Sequence, residues 1–361
     1  MRVAIVHYWL VGMRGGEKVI EAICDLFPGA DIFTLVYDPA EISDKIRGHK
    51  ITTSFLQKIP GSKRRYQSML PLMPFALESF DLSGYDLVIS SESGPAKGII
   101  PPPHAKHICY CHSPMRYIWD QYNQYRSASG FFARAAMSLF APPLRVWDVT
   151  TAARVDTFVA NSSHVAARIR RYYGRESAVI HPPVSVERFE ATEDLADYYL
   201  CAGQIVGYKR IDLAVQAFTE LGLPLVVIGS GASDSLRKMA GPNIKFLGKQ
   251  PDSVLVEHFA RCRALIFPGE EDFGIVPVEV MASGRPVIAF GKGGAVETVV
   301  PGISGILFPE QTVASLKDAV TSFEANPGAL SPTTLRAHAQ GFEADKFKQA
   351  FGRLVEEVMA R

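Results

Sequence analysis

ALIFPGEEDFGIVPVEVMASGRPVIAF, residues 264–290, reads as a buried strand, a turn rich in carboxylates, a short helix and a second buried strand. Pro277 suits the first turn of a helix, where its missing N–H costs nothing. Gly284 followed by Pro286 is an ordinary helix stop. The spacing predicts a helix over 275–283, with Glu279 in its first turn and Glu271 in the loop facing it. A helix N-terminus offers unpaired N–H groups and partial positive charge. The amides of Phe273, Gly274, Ile275 and Val276 can therefore meet oxygens, while the two carboxylates can accept hydrogen bonds from hydroxyls. A ligand with both sugars and phosphates satisfies both sets.

Outward from this stretch the same alternation recurs. In the first half, 2–9, 85–91, 106–112, 156–162 and 178–184 read as strands; 18–27 and the residues after Ser162 carry helical apolar spacing. The pattern restarts after the acidic stretch 187–197, with strands at 198–203, 224–231, 243–249, 264–269, 286–291 and 305–308. Strands alternating with helices predict parallel sheets covered on both faces. The expectation is an α/β chain of two doubly wound, Rossmann-like domains facing across a cleft: 1–190, 191–341, and a terminal helix over 342–361. Ligands of such sheets bind beyond the carboxyl ends of the strands.

Composition narrows the classes. The 361 residues suit about two domains of roughly 150 residues. A formal net charge of +1 gives no global case for nucleic acid as a partner. Five scattered cysteines suit a reducing, cytoplasmic setting rather than a disulfide framework. No run approaches the length of a membrane span.

Phosphate-binding candidates lie at strand ends. CAGQIVGYKRID (201–212) places Lys209 and Arg210 just before a helix, as two cations for a diphosphate. GMRGGEKV (12–19) places Gly15 and Gly16 between the first strand and its helix. None of the glycine loops is the GxGxxG dinucleotide fingerprint. In CYCHSPMRYIWD (109–120), Cys109, Cys111 and His112 lack a second ligand pair for a metal; His112, ending a strand, is placed instead to meet a ligand.

Together these residues resemble a known family. E-D-F-G-x-x-x-x-E at Glu271–Glu279 is similar to the E-x7-E motif of the retaining GT-B glycosyltransferases of family four. VANS at 159–162, HPPVSVERF at 181–189, GYKRID at 207–212 and GGAVETVVPGISGILF at 293–308 follow in family order. The stretch CHSPMRYIWD, residues 111–120, is similar to bacterial mannosyltransferases that use GDP-mannose to build surface polysaccharides. The resemblance implies Glu271, Lys209 and His112 as catalytic residues. It further implies Arg210, the 273–276 amides, Glu279, Gly15 and Gly16 around the donor. It implies transfer with retained configuration, without a metal or other cofactor, to a glycan or a polyprenyl-diphosphate-linked acceptor, with the acceptor bound in 1–190, the nucleotide sugar in 191–341, and the terminal helix 342–361 packing back on the first domain. One departure is Gln204, where many members carry arginine; Arg210 is the candidate substitute.

Two segments, 55–75 and 130–147, mix basic and large apolar side chains. They suit peripheral contact with an anionic membrane surface or, as the alternative, buried helices with a basic rim. Two rival functions share the pattern: a sugar-nucleotide epimerase, and a non-catalytic nucleotide-sugar-binding subunit.

Overall fold

The strand VAIVH, Val3–His7 (β1), is buried at all five positions. That is expected of a parallel strand covered on both faces. In a computed structural model that describes residues 1–361, β1 lies inside a seven-stranded parallel sheet. The other strands are Asp31–Thr34 (β2), Ile51–Thr53 (β3), Leu87–Glu92 (β4), Lys106–Cys111 (β5), Thr157–Ala160 (β6) and Ser177–Val179 (β7). Their order is β3-β2-β1-β4-β5-β6-β7, with Ile5 opposite Ile32 on one side and Ile89 on the other. β2 and β3 are not among the strands expected from sequence, because three or four residues carry too little periodicity to be read. β7 stops short of the expected 184, since Pro182 and Pro183 have no N–H for a ladder.

The second sheet has six parallel strands: Tyr199–Ala202 (β8), Leu225–Ile228 (β9), Ile244–Gly248 (β10), Leu265–Phe267 (β11), Val287–Phe290 (β12) and Gly305–Phe308 (β13). Its order is β10-β9-β8-β11-β12-β13. The chain divides into two compact units, Met1–Pro183 with Asp345–Arg361, and Val184–Ala344.

Helices cover both faces of each sheet. Gly15–Leu26 turns Val19, Ile20 and Ile23 into the first core. Ser163–Tyr173 starts where the Ser162 hydroxyl accepts from the Val165 N–H, and ends at left-handed Gly174. The last helix, Ala344–Met359, carries Phe347, Phe351, Val355 and Val358 on one stripe. That stripe joins the core built on Ile5, Ile20 and Ile23. The terminal segment is thus part of the first unit's core.

In each sheet the strand order reverses direction once. The reversal lies between β1 and β4 in the first unit and between β8 and β11 in the second. At such switch points the loops leaving neighbouring strands diverge to opposite faces and open a crevice. The candidate residues gather at these two places.

Candidate functional site

In the second unit, β8 leads into Gly203 and the turn Gly207–Lys209, while β11 leads into residues 268–274. The two loops meet across the switch point, where Lys209 Nζ lies 2.9 Å from Glu271 Oε1. A Cβ on Gly203 would come within 3.0 Å of that ammonium, so the lysine folds over bare backbone. Both side chains are mostly withdrawn from solvent, Lys209 17% and Glu271 19% exposed. The pair is close by distance but lacks hydrogen-bond alignment, and Glu271 Oε1 is a buried oxygen with no aligned donor. A buried acceptor in that state favours a ligand hydroxyl.

The loop after β12 supports this arrangement. The Gly294 N–H donates to the Glu271 carbonyl at 2.8 Å. Gly293 has φ +70°, and a Cβ there would collide with the Glu271 carbonyl and approach its amide to 3.1 Å. Only glycine fits both the conformation and the contact.

Arg210, the candidate second cation for the diphosphate, stands in the loop after β8. It has φ +51°, the one positive value outside glycine. Its guanidinium bonds to the Asp212 carboxylate at 3.2 Å and to Gln311 Oε1 at 3.1 Å. Gln311 Nε2 in turn donates to the Pro268 carbonyl at 2.8 Å. Arg210 therefore ties the β8 loop to the β11 loop, with its charge already matched by Asp212.

The helix Ile275–Ala282 begins at Gly274, left-handed at φ +87°. This corrects one expectation: Glu279 is the fifth helical residue and stands in the second turn, not the first. Phe273 is buried, its ring 5.7 Å from that of Phe342. Only its backbone is a candidate for ligand contact. Ile275 and Val276 are half-buried at the helix start.

In the first unit, Gly15 and Gly16 open the helix after β1. A Cβ on Gly16 would reach 2.6 Å from Tyr8 Oη and 3.6 Å from His112 Nε2. The glycine loop and His112 are thus neighbours at the β1/β4 switch point. His112 is half-buried just past β5, with its N–H donating to the Glu92 carbonyl at 2.6 Å. Its Nε2 is 2.9 Å from the Ser91 hydroxyl.

Sequence reasoning missed the polar groups behind His112. Ser91, His7 and Glu17 are all buried there. Glu17 sits in the quoted glycine loop and carried a readable signal as an acid in a first helical turn. Deeper lies a second cluster with no such signal. Lys97 is fully buried, 3.1 Å from Glu92 and paired with Asp148, fifty-one positions away. Asp148 also accepts from Trp119 Nε1 at 2.7 Å. Burial and the Asp148 charge push Glu92 up to about 7, against the pull of Lys97. Cys109 and Cys111 line an apolar core beside Phe158, with thiols raised by burial.

The basic and apolar segments are partly exposed. Phe131 and Phe132, at the start of the helix Phe131–Thr151, are 77% and 87% exposed; Phe75 is 68% exposed. The helix buries its later residues Ala141, Leu144 and Asp148. No helix is long and apolar enough to cross a membrane.

Two family models match successive parts of the chain: Glycosyltransferase Family 4 over residues 13–188 and Glycosyl transferases group 1 over 186–340. Among curated relatives, the D-inositol 3-phosphate glycosyltransferase of Streptomyces bingchenggensis is 29% identical over 242 residues, 56% of this chain and 53% of that protein. The Mycolicibacterium smegmatis protein of the same name is 26% identical over 261 residues, 63% of this chain and 60% of its own. The chain spans about half the length of most of the curated relatives it matches. Among solved structures, Anabaena HepE in complex with UDP superposes with a TM-score of 0.71 at 15% identity, over 99% of this chain and 100% of that one. Sucrose-phosphate synthase from Thermosynechococcus elongatus gives 0.72 at 19%, with both chains covered in full. These likenesses establish the fold as two Rossmann-like domains of GT-B type.

Proposed function

From the premise that this chain belongs to the GT-B glycosyltransferases, a family 4 domain followed by a group 1 domain, we propose that it transfers a sugar from a nucleoside diphosphate to an acceptor hydroxyl. The observation that carries the reading is Lys209 held 2.9 Å from Glu271 at the second unit's switch point. A transferable sugar leaves a diphosphate whose growing charge needs a fixed cation in a partly desolvated site. Lys209 supplies that cation. Glu271 keeps the ammonium in place and offers its buried oxygen to a sugar hydroxyl. Glu279 accepts hydroxyls of the ribose, and the backbone amides from Phe273 to Val276 bind donor oxygens.

Retention of configuration follows if the acceptor attacks from the face that the diphosphate leaves, with the leaving phosphate taking the acceptor proton. His112 donates to or accepts from a hydroxyl of the reacting sugar, and Gly15 and Gly16 admit phosphate or acceptor. The reaction is proposed to need no metal, because Lys209 and helix N-termini carry the compensating charge.

GDP-mannose is the donor to test first, on the likeness of residues 111–120 to GDP-mannose enzymes. UDP-glucose is the second, since HepE has been crystallised with UDP-glucose. The proposed acceptor is a glycan or a polyprenyl-diphosphate-linked sugar in surface polysaccharide synthesis. A lipid-linked acceptor fits the exposed Phe75, Phe131 and Phe132 with Lys63 and Arg134 nearby in sequence, a composition suited to an anionic membrane surface.

Calorimetry with GDP, UDP, ADP and TDP, each with and without Mg²⁺, tests the donor. Tight binding of one nucleotide irrespective of metal supports the reading, and binding of none overturns it. Product analysis then separates a glycosylated acceptor from an epimerised donor.

A further inference from the structure

Four side chains form a line beneath the first unit's switch point. Glu17 Oε2 accepts from the Arg14 N–H at 2.9 Å, and Glu17 Oε1 lies 3.5 Å from His7 Nε2. On the other side of the ring, His7 Nδ1 is 3.1 Å from Ser91 Oγ, and that oxygen is 2.9 Å from His112 Nε2. His7 and Ser91 are fully buried and Glu17 is 2% exposed. Burial alone would raise the Glu17 carboxyl. His7 and the Arg14 amide outweigh it and hold the group below its ordinary value, so it is ionised near neutrality.

A hydroxyl has one proton to give. Ser91 therefore cannot donate to both imidazoles, and once it donates to one it can only accept from the other. His7 Nε2 makes no aligned hydrogen bond, so the Glu17 carboxylate 3.5 Å away acts on it by charge alone, favouring the proton on Nε2 and leaving Nδ1 as an acceptor. Ser91 then donates to His7 and accepts from His112, which places the His112 proton on Nε2 and leaves its Nδ1 unprotonated. We propose that Glu17, His7 and Ser91 are positioning residues that fix the tautomer and ring orientation of His112, so that His112 presents Nδ1 as a hydrogen-bond acceptor to a sugar hydroxyl. The Glu92 carbonyl accepts from the backbone N–H of His112 and so fixes that residue's main chain rather than its ring. Carboxylate partners of functional imidazoles set basicity and orientation in the same manner elsewhere.

The sugar hydroxyl in this inference rests on the transferase reading; the tautomer does not. The test is therefore made first without substrate. The full chain, with its nine histidines labelled with nitrogen-15, is observed by two-dimensional NMR near neutral pH. The His112 signals are assigned by their loss in His112→Gln. The wild type is expected to show the Nε2–H tautomer at His112. Ser91→Ala, which breaks the line, and Glu17→Gln, which keeps shape and removes the charge, are each expected to move His112 to a mixture or to the Nδ1–H form. Thermal melts confirm that each variant is folded. Unchanged His112 nitrogen shifts in either folded variant, or an Nδ1–H form in the wild type, would overturn the proposal.

Kinetics then follow with the donor found by calorimetry. Glu17→Gln is expected to lower kcat by about 10–100-fold, the usual size for partners that orient a functional imidazole, with KM nearly unchanged. A shifted tautomer with no transferase activity in the wild type would sink the transferase reading and leave the relay standing.

Discussion

The ammonium of Lys209 rests over the backbone of Gly203 and 2.9 Å from the carboxylate of Glu271, joining the loops that leave β8 and β11. The sheet order reverses between those two strands, so the pair sits where an α/β sheet opens to a ligand. With the carboxylate beside it, the lysine is neutralised until a more highly charged anion competes for it. A diphosphate carries more charge than one carboxylate and can make that exchange.

Lys209→Ala is expected to lower turnover by about 10²–10³-fold, the size of losing one preorganised transition-state donor. Glu271→Gln is expected to weaken binding of the nucleotide sugar more than of the free nucleotide, because the carboxylate is assigned to sugar hydroxyls. Steady-state kinetics and calorimetry check both. Near-normal turnover of the folded Lys209→Ala protein would remove the lysine from the mechanism.

Gly293→Ala tests the framework behind the pair. The new methyl group meets the Glu271 carbonyl in a backbone conformation that alanine rarely adopts. The expected cost is about 1–3 kcal/mol of stability, with weaker nucleotide binding as Glu271 is displaced. Urea denaturation with and without nucleotide measures both effects. Unaltered stability would mean that the loop shifts freely.

Lys97 is enclosed by Glu92 and Asp148 with no exposure on any of the three. Removing it as Lys97→Met leaves two carboxylates without their cation, at an expected cost of about 3–5 kcal/mol. The loss should shrink as pH falls toward 5, since protonation of Glu92, already raised to about 7, removes one stranded charge. A penalty that does not change between pH 8 and pH 5 would contradict this account.

His107 predicts a pH slope of its own. Its Nδ1–H donates to the Arg154 carbonyl at 2.9 Å and its Nε2 accepts from Ser90 at 2.8 Å, so the buried ring is neutral. Burial pushes its pKa down to about 4, from 6.5. The unfolded chain therefore binds the proton first, and stability falls as pH drops from 6.5 toward 4. At pH 5 the loss is roughly 2 kcal/mol. The slope is expected to diminish in His107→Gln, provided that the glutamine keeps the fold, when denaturation curves are compared at pH 7 and pH 5.

Much of this molecule is legible along the chain. Long apolar runs between helical segments specify two parallel α/β halves, because strands covered on both faces leave no polar side to disguise them. Pro277, Gly284 and Pro286 bracket one short helix, since each acts on its own backbone. Lys209, Glu271 and His112 stand out because strand ends are where such sheets place ligands. What escaped were the groups whose meaning depends on distant partners. DIFT and ITT are strands only because β1 lies beside DIFT and DIFT beside ITT. The return of the last helix to the first core is expected only from the family resemblance, since its amphipathic stripe by itself does not say which core it joins. That Arg210 reaches Gln311 is a fact of packing. Lys97 and Asp148, like His7 and Ser91, lie too far apart in sequence to suggest each other. Local propensity and periodicity settled the elements. Only the folded arrangement decided which buried charges and imidazoles meet, because a buried polar group takes its role from the partner that satisfies it.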